Sequence, residues 1–166
     1  MNYILFDNFR RNNLLPLTFT RPVCEIRVGI MTIREKWEHC LDSSTSTLTQ
    51  DYLGVKYPIK KEKDNLLING SICPNKALVN EIKSLKANQA LVDDTVIIAM
   101  PITEEELNEG DWDKAVIEEK QTEVEYIKIN HNWEIFMLNG QALKEDYEVL
   151  TSGRKSQALN DTNTLI

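Results

Sequence analysis

Apolar residues recur along the chain in short runs that predict β-strands. The runs near the start and the middle are continuous and bounded by Asn, Asp or Gly, which is typical of strands buried on both faces of a sheet. The run between residues 89 and 100 predicts either a strand pair or one bent strand. The predicted strands are Tyr3–Phe6, Ser46–Gln50, Asn65–Asn69, Gln89–Asp93, Thr95–Met100 and Glu123–Ile129.

Helical patterns alternate with these strands. Thr32 and Glu35 form a Thr-x-x-Glu capping box, and apolar residues follow it at the spacing of one helical face. The remaining predicted helices are a short one within Gln50–Tyr57, one over Leu78–Leu85, an acidic one within Thr103–Asp113 and one over Asn139–Leu150. Strands that alternate with helices predict an α/β fold, with a mainly parallel sheet flanked by helices.

A polar segment, Asp7–Asn13, follows the first predicted strand and contains paired arginines. In an open α/β sheet, ligands bind beyond the carboxyl ends of the strands, and this segment lies there. Arg10 and Arg11 are therefore candidate phosphate ligands. Paired arginines are also common on surfaces, so a solvated turn is an equal alternative.

A stiff loop separates this segment from the first long helix. Pro16 and Pro22 fix φ and remove backbone donors within the sequence LLPLTFTRPVCEIRVG, which runs from Leu14 to Gly29. This stretch resembles the loop after the first strand in sugar-1-phosphate nucleotidyltransferases. The matching residues are Leu14, Pro16, Leu17, Thr18, Thr20 and Pro22. The resemblance continues through the next helix and reappears at Asn69–Gly70 and at the C-terminus.

Within that family the chain is similar to a Bacteroidetes-type group. The group is similar to the uridylyltransferase half of the bifunctional N-acetylglucosamine-1-phosphate uridylyltransferase/acetyltransferase. The resemblance implies a nucleotide-diphospho-sugar transferase-like (Rossmann-like) fold of reduced size. It also implies nucleotidyl transfer from an NTP to a sugar 1-phosphate, with Mg²⁺ as cofactor. The expected phosphate and nucleotide ligands are Arg10, Arg11, Thr20 and Arg21, and the expected residues of the nucleotide-sugar cleft are Asp7, Asn69, Gly70 and Ser71.

Two positions depart from the family pattern. Val23 stands where a phosphate-binding lysine follows the proline, and Ser71 stands where an aspartate holds Mg²⁺. A neutral side chain cannot neutralise charge on a pyrophosphate. The sequence therefore assigns no catalytic residue and no metal ligand. It leaves an alternative open, a catalytically degenerate domain that binds nucleotide sugars or serves assembly in a longer acyltransferase-like protein.

The composition limits the classes of binding partner and the cellular compartment that we expect for the protein. The 26 acidic against 19 basic residues give a net charge of −7, which argues against nucleic-acid binding. No apolar run approaches the roughly 20 residues of a membrane span, and the N-terminus lacks the features of a signal peptide. These patterns predict a cytoplasmic protein. Cys24, Cys40 and Cys73 are predicted to be reduced thiols packed as small hydrophobes.

Other polar and aromatic segments are predicted to be structural. Asp93–Asp94 is expected to form a turn in preference to a metal site, and the acidic residues of Thr103–Asp113 to lie on a solvated helix. The apolar segment Trp133–Phe136 is more typical of a core patch than of a sugar-stacking surface.

The domain is expected to span residues 1–157. Residues 158–166 resemble the family's lead-in to a left-handed β-helix domain, which we expect to follow in a longer protein. A homo-oligomer would then form through that second domain. The expected partner is a small-molecule nucleotide or sugar phosphate.

Overall fold

A six-stranded sheet forms the centre of the protein. The computed structural model describes residues 1–110, 118–155, 157 and 160. The strands are β1 (Asn2–Phe6), β2 (Thr45–Leu48), β3 (Asp64–Asn69), β4 (Gln89–Asp93), β5 (Val96–Thr103) and β6 (Glu118–Gln121). They lie in the order β2-β1-β3-β5-β4-β6.

The sheet is mixed, but β5 alone runs against the direction of the other described strands. β1 is parallel to both β2 and β3, and β4 is parallel to β6, whereas β5 is antiparallel to its neighbours β3 and β4. The predicted α/β class with a mainly parallel sheet is thus confirmed. The carboxyl ends of β1, β2, β3, β4 and β6 meet at one edge of the sheet, together with the start of β5.

Helices cover the sheet, and local sequence signals explain where several of them begin. They are α1 (Ile33–Leu41), α2 (Asp51–Gly54), α3 (Lys76–Lys83), α4 (Glu104–Glu109) and α5 (Asn132–Thr151). The capping boxes Thr32/Glu35 and Thr103/Glu106 both form, each satisfying amides of the first helical turn. Asp111 and Asp113 of the acidic segment lie outside the described residues.

The core fills both faces of the sheet. On one face α1 buries Trp37 completely, and the indole Nε1 donates a 2.7 Å hydrogen bond to the carbonyl of Ile72. A smaller cluster on the other face contains Ile4, Leu67 and Met100. Cys24 and Cys73 are buried and Cys40 is half-buried, all as free thiols, which confirms the prediction for them.

The predicted strand Glu123–Ile129 is wrong as a member of the sheet. The edge strand is β6, whose side chains are all exposed and therefore give no apolar pattern. Residues 122–130 instead cross the sheet edge beside Ser71–Cys73, where Ile72 and Lys128 form an isolated antiparallel bridge.

The last helix also starts earlier than predicted. α5 begins at Asn132, where the carboxylate of Glu134 accepts hydrogen bonds from the amides of Asn130 and His131. Asn139 is not a cap but lies within the helix, and its side-chain oxygen accepts a 2.8 Å bond from the amide of Gly29. Within the predicted core patch Ile135 packs against the main core, whereas Trp133 and Phe136 are 61% and 87% exposed, so the prediction is wrong for these two residues.

Three short 3-10 turns, Phe9–Leu14, Leu17–Phe19 and Val23–Glu25, carry the chain from β1 to α1. Pro16 and Pro22 lie between these segments, and because proline lacks a backbone N–H and fixes φ, it interrupts any longer helix. Among the described residues, no helix is long and apolar enough to cross a membrane.

Candidate functional site at the carboxyl ends of the strands

Asp7 anchors the loop that follows β1. One carboxylate oxygen accepts a 2.8 Å hydrogen bond from the amide of Val23, and the other accepts a 2.6 Å bond from the hydroxyl of Thr49. The side chain is only 2% exposed. Burial raises the pKa of Asp7, while the bonds from Thr49 and Val23 and the charge of Arg11 act in the opposite direction. Asp7 directly follows the carboxyl end of β1, and its oxygens are engaged within the protein interior.

Arg11 is buried beside Asp7. Its Nε lies 3.3 Å from the Asp7 carboxylate, and its terminal nitrogen donates to the carbonyl of Thr18 and, at 2.7 Å, to the hydroxyl of Tyr52. The hydroxyl of Thr18 donates back to the carbonyl of Arg11 at 3.1 Å. These bonds join the two 3-10 segments that contain Arg11 and Thr18, so the buried guanidinium stabilises the conformation of the loop.

Asn69 organises the end of β3. Its side-chain oxygen accepts bonds of 3.0 and 2.8 Å from the amide and the hydroxyl of Ser71, and its nitrogen donates to the carbonyl of Ile97. Asn8 donates to the same oxygen at 3.3 Å and so links the ends of β1 and β3. Asn69 and Ser71 are 0% and 3% exposed, so this network lies beneath the surface at the carboxyl ends of the strands.

Gly70 lets the loop after β1 approach β3 closely. Its amide donates a 2.9 Å bond to the carbonyl of Phe6. A Cβ at Gly70 would lie 3.2 Å from that carbonyl oxygen and 3.3 Å from the Cβ of Cys24. The Asn-Gly pair therefore has a packing reason independent of any ligand. The neighbouring Val23 is 1% exposed and packs into the core.

The remaining sequence-predicted ligands lie on the surface of the loop. Thr20 and Arg21 are exposed, directly before Pro22 and the Val23 amide that binds Asp7. Arg10 is half-exposed, and its guanidinium lies 5.4 Å from the ring centre of Phe9. The structure therefore separates the four predicted phosphate ligands into one buried residue and three that solvent reaches.

A cluster that the sequence did not predict lies at the end of β4. Asp93 accepts a 2.5 Å bond from the hydroxyl of Tyr126 and a 2.7 Å bond from the ammonium of Lys128. Those bonds, from Lys128 first, together with the charges of Lys128 and Arg10, lower the pKa of Asp93. Lys128 on the crossing segment contacts this carboxylate, whereas Arg10 on the β1 loop acts on it through its charge alone and has the smallest effect. We refer to Asp93, Tyr126 and Lys128 as the Asp93 cluster.

The backbone holds the Asp93 cluster in place. The amide of Cys73 donates to the carbonyl of Ile127, and the amide of Ile129 donates to the carbonyl of Ser71, both at 2.8 Å. This pairing fixes Tyr126 and Lys128 on one side of an extended segment. The predicted alternation of Glu123–Ile129 was the available sequence signal, because residues two apart share a face. Its pairing with Asp93 could not be read from the sequence.

A cavity adjoins this cluster. It has a volume of about 720 Å³ and is lined by Asp93, Tyr126 and Lys128, by Cys73–Asn75, and by Gln141 and Glu145 of α5. Its size is within the usual range of small-molecule sites. Polar groups converge there on a concave surface, which suits a hydrophilic ligand.

The donor set does not fit a Mg²⁺ ion held by protein side chains. Both oxygens of Asp7 are engaged and buried, and the Asp93 oxygen is shared by Lys128 and Tyr126. Ser71 offers a hydroxyl that already donates to Asn69. In the described part of the chain, no group of three or more His, Cys, Asp or Glu side chains converges. The turn predicted at Asp93–Asp94 does form, with Asp94 at φ 52°.

Comparisons with known proteins identify the family and a structure of similar fold. The model of the sugar nucleotidyl transferase family matches residues 3–155. Among solved structures, a Bacillus anthracis protein assigned as a glucose-1-phosphate thymidylyltransferase, in complex with a sucrose, superposes with a TM-score of 0.50. The two chains are 11% identical, and the alignment covers 86% of this chain and 95% of the other. That likeness shows a shared fold. Comparison with curated protein sequences gave no match.

Proposed function

The chain belongs to the sugar nucleotidyl transferase family, and on this premise we propose that it binds a nucleoside triphosphate and a sugar 1-phosphate at the carboxyl edge of its sheet. The reaction is the one expected from the sequence. A phosphate oxygen of the sugar 1-phosphate bonds to the α-phosphorus of the NTP, the bond from that phosphorus to the bridging oxygen breaks, and pyrophosphate leaves.

The observation that carries the proposal is the ammonium of Lys128 beside the cavity at the strand ends, where it donates to Asp93 at 2.7 Å. The charge of Arg10 on the β1 loop has a smaller effect on the same carboxylate. A polyphosphate bound at this edge would replace the Asp93 carboxylate as the hydrogen-bond acceptor. Its oxygens would then accept charge-assisted hydrogen bonds. Arg21, exposed on the same loop, supplies a third cation. On this proposal, these cations take over the role of the lysine that the family pattern has at the position of Val23.

The roles of the other predicted residues follow from their surroundings. Asp7 and Arg11 hold the loop rigid, which fixes where Arg10 and Arg21 stand. Asn69, Gly70 and Ser71 form the floor against which the ligand would lie. Catalysis on this proposal consists of positioning and charge neutralisation at the phosphorus. We also propose, on the sequence resemblance, that uridylyl transfer is the relevant variant.

The second candidate is a domain of the same fold that binds nucleotide sugars without turning them over. The observation in its favour is Ser71, which is buried and hydrogen-bonded to Asn69 where the family pattern has a metal-binding aspartate. Val23 in place of the lysine points the same way.

Pyrophosphate release tests the two candidates together. The protein, in its longest natural form, is given UTP or dTTP with a panel of sugar 1-phosphates and Mg²⁺. We expect turnover in the wild type, and loss of about tenfold to a hundredfold in Lys128→Met and in Arg21→Ala, since one charged hydrogen bond contributes about 1.5–3 kcal/mol. The matched control is Lys86→Met, whose lysine is exposed outside the cleft.

A binding measurement separates the outcomes. Nucleotide-sugar binding without pyrophosphate release would establish the second candidate. Binding that is equally strong in wild type, Lys128→Met and Arg21→Ala would overturn the placement of the ligand. No binding of any nucleotide, sugar phosphate or nucleotide sugar would overturn both candidates.

A further inference from the structure

Helix α5 is apolar on two opposite faces. Its inner face packs Leu138 and Ala142 against the main core. Its outer face carries five large apolar side chains at the spacing of one helical stripe, which we call the outer stripe: Trp133 (61% exposed), Phe136 (87%), Met137 (72%), Leu143 (40%) and Tyr147 (63%). A helix at a protein surface ordinarily carries its apolar residues on the one face that meets the core. The outer stripe is thus a surface that the described part of the chain leaves uncovered.

A glycine lies at the centre of the outer stripe. Gly140 falls on the same face, between Phe136 and Met137 on one side and Leu143 on the other. A Cβ at Gly140 would meet no atom within 4 Å. Glycine in a helix interior costs about 1 kcal/mol relative to alanine, and nothing in the described fold requires it here. The groove it leaves lets the backbone of another helix approach closely.

We propose that the outer stripe is the interface of a homodimer, in which α5 packs antiparallel against α5 of a second copy around a two-fold axis at Gly140. The stripe is self-complementary about that point, as an isologous interface requires. Antiparallel pairing sets Trp133 of one copy opposite Tyr147 of the other, and sets Met137 opposite Leu143. The ammonium of Lys144 then lies over the ring of Phe136, a favourable cation–π arrangement.

The exposed area supports a second copy as the occupant. From the fractional exposures and the usual areas of such side chains, the outer stripe presents ~600 Å² of largely apolar surface per copy. A pair would bury ~1,200 Å², which reaches the lower end of specific, stable interfaces. The stripe is also at the upper limit of apolar patches seen on monomers. This inference does not depend on the proposed enzymatic function.

Sedimentation velocity over about 1–200 µM protein tests the proposal. We expect wild type to approach twice the monomer mass, and expect Gly140→Glu and Phe136→Glu to remain monomeric with unchanged circular dichroism. Gly140→Glu has open space around it, so the monomer tolerates the side chain. The matched control is Val55→Glu, because Val55 is 94% exposed and lies outside α5. It should dimerise as the wild type does.

Cross-linking supplies a second measurement. Oxidation of Gly140→Cys should give a covalent dimer, since the proposed axis brings the two positions together, whereas Gly54→Cys should not. A monomeric wild type at every concentration would overturn the proposal. So would an outer-stripe variant that loses thermal stability without any change in mass, because the chain itself would then be the occupant. A dimer that persists in both Gly140→Glu and Phe136→Glu would place the interface elsewhere.

Discussion

The carboxylate of Asp7 accepts a 2.8 Å hydrogen bond from the backbone amide of Val23 and thereby ties the end of β1 to the far end of the loop that precedes α1. The same side chain accepts from Thr49, just beyond β2. One buried residue therefore sets the position of the loop relative to two parallel strands. Because Arg10 and Arg21 are carried by this loop, their positions depend on Asp7.

Asp7→Ala should destabilise the protein by about 3 kcal/mol. It leaves the Val23 amide and the Thr49 hydroxyl without their acceptor and Arg11 buried without its counter-charge. Urea unfolding measures the loss. Asp7→Asn is the matched control: it keeps an oxygen for Val23 and resembles the neutral carboxyl that burial favours, since burial raises the pKa of Asp7. We expect a loss of about 1 kcal/mol for it. Equal losses in the two variants would contradict the importance of the Val23 bond.

Gly29→Ala should be strongly destabilising, by more than about 2 kcal/mol. Gly29 has φ +79°, and a Cβ there would lie 2.5 Å from the Asp146 carboxylate and 2.9 Å from the backbone of Ala142. Asp146 accepts bonds from the amides of Ile30 and Met31 and pairs with the buried Lys36, so it cannot move without breaking them. The strain of an alanine with positive φ and this steric clash both lower the stability of the variant.

Gly54→Ala is the matched control for Gly29→Ala. A Cβ at Gly54 meets nothing within 4 Å, and its φ is not positive. Its unfolding free energy should change by less than about 0.5 kcal/mol or increase slightly. A similar loss in both variants would show that the contact with α5 is not the cause.

The sequence predicts the elements that have local signals, and it does not predict the contacts between distant residues. Continuous apolar runs and the capping box at Thr32 predict the strands and α1 because those signals are local. The Asp93–Lys128 pair joins residues 35 positions apart, and β6 shows four exposed side chains, so neither leaves a local pattern. Arg11 has the sequence context of a phosphate ligand, yet its burial follows from contacts with Thr18 and Tyr52 that only the folded loop creates.

The Asp93–Lys128 pair should give the protein an acid-dependent component of stability. The bonds from Lys128 and Tyr126 lower the pKa of Asp93, so the ionised form is favoured in the fold. A lowered carboxyl pKa contributes stability that is complete above the ordinary aspartate value of about 3.9 and is lost as the pH falls through the lower, folded value. The pair is partly exposed, so the effect is small.

Thermal unfolding of wild type and Asp93→Asn as a function of pH measures this component. Wild type should melt about 1–3 °C higher than Asp93→Asn at pH 6, and the difference should shrink as the pH falls below about 4 and vanish once the pH lies below the lowered pKa of Asp93. Lys128→Met should behave in the same way, because it removes the other partner. A difference that is constant across this range would show that Asp93 is not ionised against Lys128.

On the proposed function, nucleotide binding should persist when divalent metal is removed, because no group of three or more His, Cys, Asp or Glu side chains among the described residues is placed to hold a metal ion. Arg10, Arg21 and Lys128 would neutralise the phosphates, whereas Asp7 and Ser71 are committed to internal hydrogen bonds. Calorimetric titration of UTP in EDTA should give an affinity within about tenfold of that in Mg²⁺, and the EDTA value should weaken as salt rises, since exposed charges are screened. Lys128→Met should lose binding in EDTA, and Lys86→Met should not. Affinity that disappears in EDTA for the wild type would show that a metal, and not these side chains, holds the phosphates.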